Sequence, residues 1–350
     1  MLPCIRSAPG GTFWKPAQPV LISRSLLRQK SGASLKTRAH GLPATAASAA
    51  WKKPQNTKLN KADLRRKMTG PAHSGTHHLL AFDSGIGGLG IVRALRTLNP
   101  ALAIEYLADT AVFPYGEQDD AFLVERVLTL ISEAISRLRP QAVVIACNTA
   151  STLALDALRA AWPEIPFIGC VPPIRWAARL TRSHVIGLLA TSATIRRPYL
   201  NRLHALYAPD CTLIAHAAPG LAACAEHLFR GEDVPPSAIQ REIAGLFDRD
   251  TTGKLDAVGL GCTHYTFVLE QLRALSPPRI IWLDPANAVA RHTLTLLQNQ
   301  PEVTSPSVQP RAWFTSMPPE AEALRRKLPD FGFDEITLWP SLPASQKITA

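Results

Sequence analysis

The sequence predicts an α/β protein built from two similar α/β domains. Each has a largely parallel sheet flanked by helices, and the active site is expected in the interdomain cleft. Three observations point there. From His78 onward, short apolar runs alternate with longer amphipathic segments, the pattern of consecutive βαβ units. Of the 350 residues, 46% are hydrophobic and 19% charged, which supplies enough apolar surface for a packed core. The strand ends also repeat. LLAF closes on Asp83-Ser84-Gly85 and VIGLLA on Thr191-Ser192-Ala193, 108 positions later; AVVIA closes on Cys147-Asn148-Thr149 and AVGLG on Cys262-Thr263-His264, 115 positions later.

Taken in chain order, residues 1–77 mix Ser, Ala, Pro and Gly with scattered Lys and Arg and hold no sustained period, so a basic, disordered extension is expected. Residues 1–67 carry 14 Lys or Arg against one acid, Asp63, a formal +13; the rest holds 24 basic and 26 acidic residues, a net of −2. The overall charge of +11 therefore belongs to the tail. A transit-like peptide, an electrostatic arm and an upstream start before a true beginning at Met68 all fit, and the last is preferred. Strands are expected at 79–82, 104–107, 142–146, 166–168, 185–190, 212–215, 257–260 and 280–283. Helices are expected at 122–138, 151–162, 237–247 and 265–275, where apolar residues recur at three and four spacing. The first domain is read as 78–175 plus 287–340 and the second as 176–286. No run of 18 apolar residues occurs, so no membrane span is expected.

The chemistry-bearing residues cluster at the strand ends, where open α/β sheets bind ligands. Gly85-Ile86-Gly87-Gly88-Leu89-Gly90 satisfies GxGxxG, but Asp83 just before it would repel a pyrophosphate. The acid expected about 20 residues on could only be Glu105, inside the next strand, so the glycines are read as a tight strand-to-helix turn. Six cysteines show no CxxC pair and no metal-ligand spacing with His, which suggests reduced thiols in a cytoplasmic protein and no metal site. Cys170, Cys211 and Cys224 read as small buried hydrophobes. Cys147 and Cys262 stand apart, since each follows a buried strand and precedes a helix whose N-terminus would favour thiolate. After Lys67 only Lys254, Lys327 and Lys347 occur, none at a strand end, so a pyridoxal phosphate Schiff base has no anchor and no cofactor is expected.

The segments FDSGIGGLG (82–90), ADTAVFPYGE (108–117), VIACNTAS (144–151), LLATSAT (188–194), GLGCTHY (259–265) and LDPANAVA (283–290) resemble the glutamate racemases in order and spacing. CNT and GCTH are shared across the aspartate/glutamate racemase superfamily; DSGIGGL and PYG are the part specific to glutamate. The resemblance implies that Cys147 and Cys262 are the two acid/base residues on opposite faces of the substrate Cα. It implies Asp83 beside one thiol, His264 beside the other, and Glu226 as a further family acid in a segment that departs from the usual pattern. It also implies that Ser84, Pro114, Tyr115, Gly116, Asn148, Thr149, Thr191, Thr194 and Thr263 hold the amino acid.

The expected activity is therefore cofactor-independent interconversion of L- and D-glutamate, the D form supplying peptidoglycan synthesis, by a homodimer. Two alternatives remain open: an aspartate or other amino-acid racemase, and nucleic-acid binding confined to the basic tail, where Trp14 and Trp51 are isolated. A protein starting at Met68 is expected to retain full racemase activity, read by chiral chromatography; loss of activity or solubility would make residues 1–67 part of the working structure.

Overall fold

The computed structural model describes residues 77–301, 310–318 and 321–340. The expectation of a basic extension over 1–77 lies outside these residues, apart from His77. Among the described residues ten strands form two all-parallel sheets. The first is built from β1 (His78–Asp83), β2 (Ala103–Ala108), β3 (Ala142–Ile145), β4 (Phe167–Gly169), β9 (Ala312–Phe314) and β10 (Ile336–Leu338), in the order β10-β9-β2-β1-β3-β4. The second takes β5 (Val185–Ala190), β6 (Thr212–Ala217), β7 (Ala257–Gly261) and β8 (Ile281–Leu283), in the order β6-β5-β7-β8. That order reproduces β2-β1-β3-β4 of the first sheet, so the repeated strand ends of the sequence occupy equivalent places. The two central strands are β1 and β5, and β3 and β7, whose ends lead to Cys147 and Cys262, lie beside them in register.

Strands of parallel sheets are covered on both faces, and the alternation within β1 shows how. Leu79 and Ala81 face a core shared with α1 (Leu89–Leu98) and α10 (Ala286–Leu297), while Leu80 and Phe82 face α2 (Asp120–Leu138) and α3 (Asn148–Ala161). In the second sheet Ile186 and Leu188 pack on α4 (Ile174–Leu180) and α6 (Pro198–Tyr207), beyond the short α5 (Ser192–Arg196). Val185 and Leu189 pack with α7 (Leu221–Arg230) and α8 (Pro236–Asp248). Helix α7 spans the junction of the cores. Leu221 and Ala225 belong to the second sheet's core, while Phe229 belongs to the first, where it stacks with Phe267 and Phe331.

All eight expected strands are present. β9 and β10 were not expected; at three residues each they are too short to show alternation. The expected helix over 265–275 is instead a 3₁₀ turn, Thr263–Val268, followed by a short α9, Leu269–Ala274. Two threonines, a tyrosine and a histidine favour the α-helix poorly, and the Tyr265 hydroxyl donates to the Ala218 carbonyl at 2.8 Å, which holds the turn against the start of α7. The last described helix, α11 (Ala321–Lys327), packs against α7.

The glycine loop has a reason beyond turning the chain. Positive φ occurs at Gly231, Gly253 and Gly332 among the described glycines, not at Gly85, Gly87 or Gly88. What the loop requires is close approach. A Cβ on Gly87 would stand 2.5 Å from Thr263 Oγ1 and 2.9 Å from the His264 backbone nitrogen. Gly87→Ala should therefore lower the unfolding free energy by about 1–3 kcal/mol by overpacking, measured by urea denaturation. An unchanged midpoint would mean that this contact yields at no cost.

Candidate active site

Asp83, the last residue of β1, is fully buried, so its carboxylate must be met by donors. Its Oδ1 accepts from the Gly85 amide at 3.0 Å and from the Ser84 hydroxyl at 3.3 Å; its Oδ2 accepts from Thr263 Oγ1 at 3.0 Å. Thr263 follows β7, so this bond joins the tips of the two sheets. Cys147 sits one strand over, capping the N-terminus of α3, with its Sγ 3.6 Å from Ser84 Oγ.

Burial and then the negative charge of Asp83 push the Cys147 thiol up to about 12, overcoming the opposing hydrogen bonds from the Ala150 amide and the Ser84 hydroxyl. This corrects the expectation that the helix N-terminus would favour thiolate here. Desolvation outweighs the helix end, and Cys147 is a neutral thiol at physiological pH.

Cys262 has a different surrounding. It precedes the 3₁₀ turn rather than an α-helix, so the expected helix terminus is absent, and its neighbour is His264, with Nδ1 3.8 Å from Sγ. His264 Nε2 lies 3.1 Å from Glu226 Oε1 on α7, and the Phe113 ring lies 5.4 Å from the imidazole. Burial lowers the imidazole pKa, but the hydrogen bonds and charges of Cys262 and Glu226 prevail and raise it well above the usual histidine value. These contacts favour the protonated ring, with one nitrogen toward the Cys262 sulfur and the other toward the Glu226 carboxylate.

Between the thiols lies a pocket of about 40 Å³ lined by Ser84, Pro114, Tyr115, Gly116, Cys147, Asn148, Thr149, Thr191, Cys262, Thr263 and His264, together with Phe113, Ala222 and Gly261. Asp83 stands behind Ser84, and Glu226 behind His264. Thr194 is not on the wall; its amide and hydroxyl bond the Thr191 hydroxyl and fix that side chain at the start of α5. Both polar atoms of the buried Asn148 amide lack a hydrogen-bond partner among the described residues.

Tyr115 touches the pocket without offering its hydroxyl to it. The phenol donates to Asp109 Oδ2 at 2.7 Å, and the same carboxylate takes a forked pair from Arg126 and a bond from Thr315 Oγ1. Asp109, Arg126 and Thr315 had no place in the sequence reading. Their one signal was an acid just past the end of β2, one place beyond the residue that pairs with Asp83 at the end of β1. Glu105 lies buried under β9, accepting from the Trp313 indole, and is no partner for a ribose. A larger cavity of about 240 Å³ contains neither thiol but shares Gly85, Phe113 and Glu226 with this region. Among the described residues no group of three or more His, Cys, Asp or Glu side chains is placed to hold a metal ion, and no helix is long and apolar enough to cross a membrane.

Two parallel sheets of matching strand order, each presenting a cysteine at the equivalent strand end, define a racemase fold, and the family model described as Asp/Glu/Hydantoin racemase matches residues 90–293. The chain belongs to that family and is an isomerase. Within the family it is similar to glutamate racemases. The glutamate racemase of Granulibacter bethesdensis is 49% identical over 265 residues, 74% of this chain and 95% of that protein. The glutamate racemase of Brucella canis is 42% identical over 255 residues, 73% of this chain and 92% of that one. The crystal structure of Escherichia coli glutamate racemase in complex with L-glutamate and the activator UDP-MurNAc-Ala is 35% identical, superimposes with a TM-score of 0.72, and is covered over 77% of this chain and 100% of that chain.

The position of the Tyr115 hydroxyl separates two roles. Tyr115→Phe removes one of the bonds to Asp109, and stability should fall by about 1–2 kcal/mol while KM stays within about twofold. A rise in KM without loss of stability would place the hydroxyl on the substrate instead.

Proposed function

We propose that this enzyme is a cofactor-independent glutamate racemase working by two-base proton transfer, with Cys147 and Cys262 on opposite faces of the substrate Cα. The observation that carries the reading is the pocket lined by both thiols, one from each sheet. The chain is taken as two lobes, 78–175 with 287–340 and 176–286, with the amino acid held between them. Ser84, Asn148, Thr149, Thr191 and Thr263 hold its charged groups, the Pro114–Gly116 loop bounds its side chain, and Thr194 positions Thr191.

The Cα proton of an amino acid is a very weak acid, so a positioned base must meet it and a positioned acid must protonate the other face. In the form described above Cys147 carries its proton, and His264 stands beside Cys262 with Nδ1 3.8 Å from its sulfur. Cys262 is then the base and Cys147 the acid for one enantiomer. After transfer the proton stands on Cys262 and the charge on Cys147, beside Ser84, and this second form accepts the mirror image. Asp83 and Glu226 set the fields at the two thiols without touching Cα. The D-glutamate formed would supply peptidoglycan synthesis in the cytoplasm.

Two measurements test this. Cys147→Ala and Cys262→Ala should each abolish racemisation of D- and L-glutamate while far-UV circular dichroism is unchanged, with D- and L-aspartate assayed alongside; near-normal turnover in either variant would remove that thiol from the mechanism. In deuterated water, the first product formed from either enantiomer should carry deuterium at Cα while unreacted substrate stays protiated. Substantial protium in early product would mean that a single base serves both faces.

A further inference from the structure

We propose that Arg230 is a positioning residue for the reaction, acting through Glu226 and His264 to hold Cys262 in its basic form. The inference rests on reading Cys262 as an acid/base thiol. It starts from a chain of contacts that continues past the pocket. Behind Cys262 stands His264, behind His264 stands Glu226 Oε1, and the other oxygen, Oε2, is 3.4 Å from Arg230 Nη1. Arg230 and Glu226 are four residues apart on α7, the spacing that brings side chains together on one helix face. Both are largely buried, with the Arg230 side chain 13% exposed and that of Glu226 17%, so the pair is less screened than a surface one.

The rest of the Arg230 side chain is braced as well. Its Nε donates to Glu232 Oε1 at 2.6 Å, and Glu232 also pairs with His227, so the guanidinium is held between Glu226 and Glu232. Gly231 makes this turn possible. It ends α7 with φ 84°, in the left-handed region, and lets Glu232 fold back onto the helix end.

The effect of the arginine follows from charge. Glu226 and His264 compete for the proton on their shared hydrogen bond. A cation on the far oxygen holds the carboxylate in place against the imidazole and favours the proton on the ring. The protonated ring then faces Cys262. Without Arg230, Glu226 is free to turn away from His264, and the positive field at Cys262 weakens. The other charged or titratable groups around this line are Asp83, Tyr106 and Cys147 from the first sheet, Tyr265 and Glu242 from the second, and His227 and Glu232 beside Arg230 itself. Of these seven His227 can carry a positive charge, and its ring is turned to Glu232 and Arg230 rather than to Glu226. The bland alternative is that Arg230 only closes the C-terminal turn of α7, where a cation suits the helix dipole. That role would not single out one thiol.

Alkylation of the full-length protein by iodoacetamide across pH, with each cysteine followed by peptide mass spectrometry, separates the two roles. In Arg230→Met the rise of Cys262 reactivity should move up by about half a pH unit or more, roughly a threefold loss of thiolate at neutral pH, while the Cys147 profile stays in place. Arg230→Lys should restore most of the shift, and Arg230→Gln, similar in size and without charge, should match the Met variant and stands in for it if that protein does not fold. In a Glu226→Gln background the same Arg230→Met change should have little effect, because the arginine acts through the carboxylate. An unmoved Cys262 profile, equal movement of both thiols, or an undiminished effect in the Glu226→Gln background would overturn the proposal. Racemase activity surviving in Cys262→Ala would sink the two-thiol reading instead, and the alkylation result would be unaffected by it.

Discussion

Asp83 and Thr263 meet in a hydrogen bond of 3.0 Å at a place where Gly87 leaves no room for a side chain. The geometry of the site follows from that seam. A fully buried carboxylate is costly without donors, and here one of its donors comes from the other sheet. Satisfying the charge therefore brings the end of β1 against the end of β7. Cys147 and Cys262, each bound to the strand beside or at that contact, are carried to the same pocket as a result. The glycines of the loop are the steric side of the same constraint, since any Cβ at Gly87 would force Thr263 and His264 back.

The same carboxylate separates the two thiols electrically. Its charge adds to burial in keeping Cys147 protonated, while Cys262 faces His264, whose pKa Cys262 and Glu226 raise. Matching strand order thus delivers two cysteines with unlike neighbours. The repeat supplies the symmetry of position, and the residues after each strand, Asn148-Thr149 in one case and Thr263-His264 in the other, supply the difference.

The sequence made the sheets legible because parallel strands are buried on both faces and read as short, unbroken apolar runs. β9 and β10 escaped for the opposite reason: three residues each, with Ala312-Trp313-Phe314 pairing to a strand some 200 positions earlier. The turn at 263–268 was misjudged as α-helix because its apolar spacing suits either form, while its poor helix formers and the Tyr265 bond to Ala218 favour the turn. At the site, the thiols were visible as a repeated pair, and the structure brings Glu226 within 3.1 Å of His264 although its sequence segment departs from the family pattern. Hidden from the sequence were the direction of the Tyr115 hydroxyl and the Asp109–Arg126 pair that receives it, since neither spacing nor composition says which way a side chain turns. The protonation state of Cys147 was hidden too. The helix that follows it is readable from sequence, whereas the depth of its burial is a property of the packed molecule.

The unlike neighbours of the two thiols carry a thermodynamic consequence. Glutamate enantiomers have equal free energies in water, so the overall equilibrium constant of a racemase is unity, and kcat/KM must then be equal in the two directions whatever the protein does. An asymmetric site cannot favour one product. Under the two-thiol proposal it can only trade turnover against saturation: the enantiomer that meets the more stable protonation form would bind from the populated state, while its mirror image would wait for the rarer one. The difference between an aspartate behind one thiol and a histidine behind the other would then be expressed as paired, compensating changes in kcat and KM, with the net direction of flux left to whatever consumes the product.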